Sequence, residues 1–132
     1  MLTIIIPVYN ELKTIDKIVQ KILNLKNLKK QIIIVDDGSN DGTTKKLQKL
    51  SKNKKIDKII FNKINKGKGF AIRAAQRFIK GKFVIIQDAD LEYNPKDYLK
   101  ILRVLEKRKF KVVYGSRVLN TNRYRNNNFT SV

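Results

Sequence analysis

The sequence predicts an α/β fold, with a mainly parallel β-sheet that carries helices on both faces. Three observations lead to this class. Short β-branched runs alternate along the chain with longer segments in which apolar residues recur at helical spacing. Polar clusters follow the strand-like runs and do not interrupt them. The 132 residues, 42% of them hydrophobic, are enough for one domain with a substantial core.

Five strands are predicted from apolar runs that end at turn residues. The first is a β-branched run that stops at a proline, which cannot donate to a sheet ladder. The others end at aspartate, asparagine or glycine, which favour turns. The predicted strands are Leu2–Pro7, Gln31–Val35, Lys55–Phe61, Phe83–Gln87 and Phe110–Tyr114.

Four helices are predicted between and after these strands. In the first, apolar residues such as Ile15, Ile18 and Ile22 repeat at the spacing of one helix face. For the last, Asn94 supplies an N-cap and Pro95 a proline at the first helical position. The predicted helices are Leu12–Leu25, Thr43–Leu50, Gly69–Ile79 and a segment from Pro95 to about Lys107.

The end of the sequence differs in character from the rest. After Arg117 the chain is polar and rich in asparagine, without apolar periodicity. We therefore expect residues 1–117 to form the domain and residues 118–132 to form a polar, flexible loop or tail.

The composition excludes several kinds of catalytic site. The chain contains neither cysteine nor histidine. Disulfides, thiolate metal sites, cysteine nucleophiles and serine–histidine–aspartate triads are therefore excluded. Carboxylates remain as the expected metal ligands.

The net charge of +19 fits an anionic partner or surface, but it fits equally a coding bias that enriches lysine together with isoleucine and asparagine. Nucleic acid, an anionic membrane and an anionic substrate all attract such a chain. The lysines are spread along nearly every segment, which disfavours a specific nucleic-acid interface. No segment reaches the ~20 apolar residues of a membrane span, and the apolar start is too short for a signal peptide. We expect a cytoplasmic protein, with peripheral attachment to a membrane left open.

The acidic cluster Asp88-Ala89-Asp90 follows the fourth predicted strand. Two carboxylates one residue apart can bind one hard cation, Mg²⁺ or Mn²⁺, while diphosphate oxygens fill its other positions. Such a cation would neutralise a departing diphosphate. The alternative is an ordinary turn with solvated carboxylates.

Two further clusters follow the first and second strands. Asp36 and Asp37 can accept from the N–H edge of a nucleobase, or can simply close a turn before the next helix. After Pro7, Tyr9 can stack on a base and Glu11 can accept from ribose hydroxyls. The alternative for this first cluster is local capping and packing.

Basic groups follow the third and fifth strands. Asn65-Lys66-Gly67-Lys68-Gly69 brings backbone N–H groups and a helix N-terminus toward an anion, and Lys68 can add a charge. Arg117 ends the last strand and suits a bidentate phosphate contact or a surface ion pair. Each cluster is weak by itself, but all of them fall at predicted carboxyl ends of strands, where α/β sheets bind ligands.

Taken together, these clusters resemble the motifs of family 2 glycosyltransferases. The segments that carry the resemblance are Pro7–Glu11, Asp36–Thr43, Asn65–Gly69, Asp88–Leu91 and Gly115–Arg117. Within the family, the sequence looks most like the dolichyl- and polyprenyl-phosphate mannosyl- or glucosyltransferases. The resemblance covers about residues 1–117.

The resemblance implies a Rossmann-like GT-A fold, a nucleotide-diphosphate-sugar donor, a divalent metal (Mg²⁺ or Mn²⁺) and inversion at the anomeric carbon. The implied acceptor is a lipid-linked phosphate at a membrane surface. The implied catalytic residues are Asp90 and Arg117. The other implied positions are the metal ligands and the substrate-binding residues: Asp88, Asp90 and Glu92 for the metal; Pro7, Tyr9, Glu11, Asp36, Asp37, Lys68 and Asp88 for the substrate.

Two departures from the family pattern stand out. Mannosyl-donor members often have glutamine where this chain has Glu92, and glutamate adds a negative charge beside the metal. The chain is also about half as long as the family's catalytic domain, so the acceptor part is expected to be missing. This leaves open a non-catalytic nucleotide-sugar-binding fragment, or half of a split enzyme that needs a partner chain. A receiver-like signalling domain fits poorly, because the last strand ends in Gly-Ser-Arg and not in lysine.

Overall fold

The structure is a computed structural model that describes residues 1–91, 94–108, 113–115 and 129–131. The chain divides into two compact units, Met1–Pro95 and Lys96–Val132. The predicted site residues Glu92 and Arg117 lie outside the described residues.

The first unit is built on a four-stranded sheet in the order β3-β2-β1-β4. All three strand pairs are parallel. The expected mainly parallel α/β sheet is therefore confirmed. The strands are β1 (Leu2–Val8), β2 (Lys30–Asp37), β3 (Lys58–Asn62) and β4 (Phe83–Ile86).

The two central strands are apolar on both faces because helices cover the sheet from both sides. In β2, Ile32–Val35 are fully buried. On one face Ala71 and Ala75 of α3 (Lys68–Gln76) pack with Ile33 and Val35, and the two alanines let the helix backbone come close to the sheet. From the strand order, the right-handed rule for parallel crossovers assigns the other two helices to the opposite face: α1 (Ile15–Leu23) and α2 (Thr43–Leu50).

The predicted bounds agree closely for α2 and differ by a few residues for α1 and α3. The structure begins α1 at Ile15, three residues after the predicted start, because the Glu11 carbonyl accepts from the N–H groups of Thr14 and Ile15 in a preceding turn. After the end of α3, the N–H groups of Phe78 and Ile79 donate to carbonyl groups three residues earlier in the chain, and not four as in an α-helix.

In the remaining part of the chain, the predicted helix is preceded by a 3-10 turn at Pro95–Asp97 and runs as α4 from Tyr98 to Arg108. A short strand, β5 (Val113–Gly115), pairs antiparallel with β6 (Phe129–Ser131) in a separate sheet. Strand β6 lies in the segment expected to be a loop or tail; the boundary at residue 117 stays a prediction. None of the helices in the described ranges is long and apolar enough to cross a membrane.

Candidate functional site

The order of the strands creates a switch point at the carboxyl edge of the sheet. The chain adds β2 and β3 on one side of β1 and then returns to add β4 on the other side. In open α/β sheets, ligands bind beyond the carboxyl ends of the strands at such a point. The clusters after β1 and β4 flank it directly.

The loop after β1 is held against the loop after β2 by hydrogen bonds. The Asn10 N–H donates to Ser39 Oγ over 2.9 Å, and the Asn40 N–H donates to Asn10 Oδ1 over 2.8 Å. Asn10 has a φ of 52°, in the left-handed region that asparagine tolerates. Asn10 therefore joins the two loops, a role that its position next to a predicted helix did not reveal.

Three predicted substrate residues lie in or beside this joined region. Pro7 is the last but one residue of β1 and is partly buried. Tyr9 is 45% exposed, which leaves its ring accessible to a planar ligand. Glu11 is partly buried and accepts through Oε2 from Thr14 Oγ1 over 2.9 Å, so part of its acceptor capacity serves the start of α1.

Asp36 is buried and closes the turn between β2 and α2. Its Oδ1 accepts from the Ser39 N–H over 3.1 Å, and its Oδ2 accepts from Thr44 Oγ1 over 2.5 Å. Each carboxylate oxygen keeps one further acceptor direction, since an ionised carboxylate has about four. Asp36 thus performs the turn role that the sequence left open, and it retains capacity to accept from a ligand.

Asp37 is also buried, but its carboxylate is directed toward the loop after β3. Oδ2 accepts from the N–H groups of Gly67 and Lys66 over 2.8 and 3.2 Å. Oδ1 accepts from the Lys66 N–H over 3.1 Å and from Asn62 Nδ2 over 3.2 Å. Both carboxylate oxygens of Asp37 therefore accept hydrogen bonds that hold the loop after β3. The contact of Asp37 with a nucleobase stays a prediction.

Gly38 lets the loops after β2 and β3 approach each other closely. Its φ is +73°, and a Cβ atom here would lie 2.7 Å from Asn65 N and 2.8 Å from the Ile64 carbonyl carbon. The neighbouring atoms are backbone, so they cannot move aside as a flexible side chain would. Glycine is therefore required both by conformation and by space.

We expect Gly38→Ala to lower the free energy of unfolding by about 2–4 kcal/mol, through a strained φ and a backbone clash. Gly69→Ala is the control, because Gly69 is helical and its added Cβ would meet only Arg73 Nη1, at 3.6 Å. That substitution should be neutral or stabilise by up to about 1 kcal/mol. Urea unfolding of both variants makes the comparison; equal stability would contradict the close approach of these loops.

Asp41 orders the rest of the turn before α2. Desolvation opposes its ionisation, but hydrogen bonds from the side chain and N–H of Thr43 and from the Leu12 N–H prevail and lower the pKa of Asp41. A carboxylate with a lowered pKa adds stability above its unfolded pKa and loses it as the pH falls through the folded value. The contribution of Asp41 to stability is therefore expected to be lost only in acid, below the ordinary pKa of an aspartate.

Lys68 and Asp88 form an ion pair across the carboxyl edge. Lys68 is the first residue of α3, which follows β3, whereas Asp88 follows β4. Strands β3 and β4 are the opposite edges of the four-stranded sheet, so the pair joins clusters that are distant along the sheet. The side chains remain accessible, with 53% of Lys68 and 29% of Asp88 exposed.

Asp90 lies two residues after Asp88 and is exposed. The following residue, Leu91, has a φ of 65°, so the chain turns sharply just after the two carboxylates. Across residues 1–91 and the other described ranges, no three carboxylates gather into a ready-made metal site. The predicted third ligand, Glu92, is not among those residues.

A groove of about 590 Å³ lies elsewhere, between β3 and α3. Lys58, Arg73, Arg77 and Phe78 are among its lining residues. None of the predicted site residues lines it. The candidate site is therefore the set of loops at the carboxyl edge, where Tyr9, Asp36, Asp37 and the Lys68–Asp88 pair lie.

Two supporting residues of this site were missed by sequence reasoning. Thr44 donates to Asp36 and Asn62 donates to Asp37, and both aspartates are buried. Neither residue was among the predicted site residues. For Thr44, the signal was a second threonine after Asp41-Gly42, at the start of a predicted helix. For Asn62, the signal was only its position at the end of a strand.

Comparison with known proteins identifies relatives of this arrangement. The family model described as glycosyl transferase family 2 matches residues 3–131. The chain is 31% identical over 105 residues to a dolichol-phosphate mannosyltransferase of Pyrococcus furiosus. This alignment covers 79% of this chain and 30% of that protein. It is 33% identical over 129 residues to a dolichyl-phosphate β-glucosyltransferase of Dictyostelium discoideum, covering 88% of this chain and 39% of that protein.

A solved structure shares the fold. A mannosyltransferase from Pyrobaculum calidifontis, solved in complex with GDP-mannose and Mn²⁺, superposes with a TM-score of 0.72 at 24% identity. The superposition covers 83% of this chain and 33% of that one. The chain thus spans about a third of the length of these proteins, and it shares the GT-A fold of the corresponding part of the solved enzyme. The family match over nearly all its residues establishes that the chain belongs to glycosyl transferase family 2.

Proposed function

We propose that this chain forms the donor-binding part of an inverting glycosyltransferase, which moves a sugar from a nucleotide-diphosphate-sugar to a polyprenyl or dolichyl phosphate. The observation that carries the proposal is the position of Tyr9, Asp36 and the Lys68–Asp88 pair at the carboxyl edge of one parallel sheet. Membership of family 2 supports sugar transfer. The relatives named for dolichol phosphate support the choice of acceptor.

The nucleoside would lie over the loops after β1 and β2. Tyr9 offers an exposed ring for stacking on the base, and Asp36 offers a fixed carboxylate to an N–H of the base. Glu11, beside the same loops, would accept from the ribose. Because Asn10 and Ser39 hold the loops together, these groups are ordered before the ligand arrives, which lowers the entropy cost of binding.

The diphosphate would lie nearer β4. Asp88 and Asp90 fit a divalent cation, since they present hard oxygen donors and Asp88 already pairs with a cationic group. With Glu92 as a third carboxylate, they would hold Mg²⁺ or Mn²⁺, which when bound supplies charge neutralisation to the leaving diphosphate. The structural relative solved with GDP-mannose and Mn²⁺ supports the choice of cation.

Transfer would then be a single in-line displacement. An oxygen of the acceptor phosphate attacks the anomeric carbon from the face opposite the diphosphate, and the nucleoside diphosphate leaves with the bonding electrons. The acceptor is already ionised near neutral pH, so no general base is required of this chain. Lys68 and Arg117 would stabilise the charge that develops on the leaving group. Such a reaction would place the protein at the cytoplasmic surface of a membrane, attached peripherally.

A binding titration followed by a transfer assay tests this function. Calorimetric titration with GDP-, UDP- and dTDP-sugars should detect one nucleotide that binds when Mn²⁺ is present and at least tenfold more weakly when it is absent. Incubation of that donor with dolichyl phosphate should give a lipid-linked sugar phosphate, whereas dolichol without the phosphate should give none.

The outcomes separate the proposed function from its narrower alternative. Binding without transfer would favour a nucleotide-sugar-binding fragment that needs a partner chain for the acceptor site. The absence of binding by any of the three donors, in a folded protein, would overturn the proposed donor site.

A further inference from the structure

The ion pair of Lys68 and Asp88 has a consequence for the order in which the proposed site fills. This inference rests on the proposed function. Asp88 is one of the two carboxylates proposed for the metal, yet one of its oxygens is already bound by the Lys68 ammonium. A second cation on the same side of this carboxylate would lie within a few ångströms of the ammonium, and like charges at that distance repel. Lys68 and a metal therefore compete for Asp88, and the competition ends when the ammonium moves away.

The backbone of Lys68 cannot move far, because the residues just before it are held. The carboxylate of Asp37 accepts from the N–H groups of Lys66 and Gly67, and Lys68 begins α3 immediately afterwards. The lysine side chain is a flexible four-carbon stem that is 53% exposed. The ammonium can thus swing while its Cα stays in place.

The new partner of the ammonium must be an anion within reach of this fixed Cα. In the proposed site, the donor diphosphate arrives at the same edge of the sheet, and lysine binds phosphate oxygens as a point charge. A diphosphate would draw Lys68 away from Asp88 and so release the carboxylate for the cation. In the reverse direction, a cation on Asp88 would release Lys68 for the phosphates.

We propose that Lys68 is an exchangeable counterion, which neutralises Asp88 in the empty site and transfers to the diphosphate when nucleotide and metal bind. Lys68 thereby couples the two binding events. Coupling of this kind is reciprocal, because each ligand must raise the affinity of the other by the same factor.

The test measures Mn²⁺ affinity in the presence and absence of nucleotide. Free Mn²⁺ is followed by electron paramagnetic resonance in titrations of the wild-type chain, Lys68→Met and Lys66→Met. Lys66→Met is the matched control, because it removes the same charge from the same loop while retaining the backbone N–H bonded to Asp37; the Lys66 ammonium lies over the Phe70 ring at 4.7 Å. Circular dichroism establishes that all three proteins are folded.

Without nucleotide, Lys68→Met should bind Mn²⁺ about two- to fivefold more tightly than Lys66→Met, the range expected for loss of a partly exposed competing ion pair. With GDP or UDP at saturation, this advantage should disappear, because Lys68 has already left Asp88. The factor by which nucleotide raises Mn²⁺ affinity should therefore be smaller in Lys68→Met than in the wild-type chain and in the control.

The inference is overturned, with the proposed function intact, if the wild-type chain binds nucleotide and Mn²⁺ together but Lys68→Met has no greater nucleotide-free Mn²⁺ affinity than Lys66→Met. An equal effect of nucleotide on all three proteins would also overturn it. If the wild-type chain binds neither Mn²⁺ nor GDP nor UDP, the proposed metal-dependent donor site and this inference fall together.

Discussion

Replacement of Asp90 by alanine is expected to abolish metal-dependent nucleotide binding while leaving the fold intact. Asp90 is exposed and follows the last strand of the four-stranded sheet, so truncation opens no cavity in the core. Loss of an exposed side chain, together with a surface interaction that it makes, should change the free energy of unfolding by about 1 kcal/mol or less. Loss of a direct metal ligand should weaken binding about a hundredfold or more, since even supporting residues of metal sites cost ten- to hundredfold.

Calorimetric titration with a nucleotide-sugar in Mn²⁺ measures this effect, and urea unfolding measures the stability of the variant. Asp97→Ala is the matched control, because it removes another carboxylate, 47% exposed, which forms an ion pair with nearby Lys100 at 3.4 Å. The control should bind like the wild-type chain. If Asp90→Ala bound the donor normally, the two carboxylates would be ordinary turn residues and the metal assignment would be wrong.

Replacement of Asp37 by alanine is expected to destabilise the chain by about 2–4 kcal/mol. The buried carboxylate accepts from the backbone N–H groups of Lys66 and Gly67 and from Asn62, and the charge strengthens each bond. Alanine removes the carboxylate acceptor from all three donors, and the Gly67 N–H keeps a second, longer contact to Asn65 Oδ1 at 3.2 Å. The loop after β3 would then lose its anchor, and Lys68 would lose its fixed position at the start of α3.

Urea unfolding measures the loss of stability, and nucleotide titration below the unfolding transition measures the loss of the site. Asp16→Ala serves for comparison, because it breaks a surface ion pair with Lys46 at 2.7 Å, with half of the Asp16 side chain exposed. Such a pair is worth about 1 kcal/mol at most. An Asp37 variant as stable as the Asp16 variant would mean that the loop is held by other contacts.

The sequence predicted the type and order of the elements well because these depend on local patterns. The β-branched runs of β1 and β2 were long and continuous, and both strands are buried on both faces. The start and end of α2 were also predicted, since Gly42 and the spacing of Leu47 and Leu50 are local signals. The membership of family 2 was likewise readable from motifs in the sequence, and the family match confirms it.

The fifth predicted strand illustrates where local patterns become insufficient. An apolar run up to Tyr114 predicted a strand, but its partner could not be read from that run. In the structure Val113–Gly115 pairs with Phe129–Ser131. A polar, asparagine-rich stretch comes directly before that partner segment, so the whole region was expected to be a loop. Strand pairing is set by long-range contacts, which no short window of sequence contains.

For the site, the sequence by itself determined which chemical groups are available: carboxylates but no imidazole or thiol, placed after strands where a parallel sheet presents its ligands. The roles of Glu92 as a metal ligand and of Arg117 as a catalytic residue stay predictions. Only the tertiary structure decided which groups meet. Lys68 and Asp88 are 20 residues apart and follow opposite edge strands, and they pair because the chain returns across the sheet to place β4 beside β1. The strand order that brings them together depends on burial of the whole sheet between helices, a property of the complete packing and not of either motif.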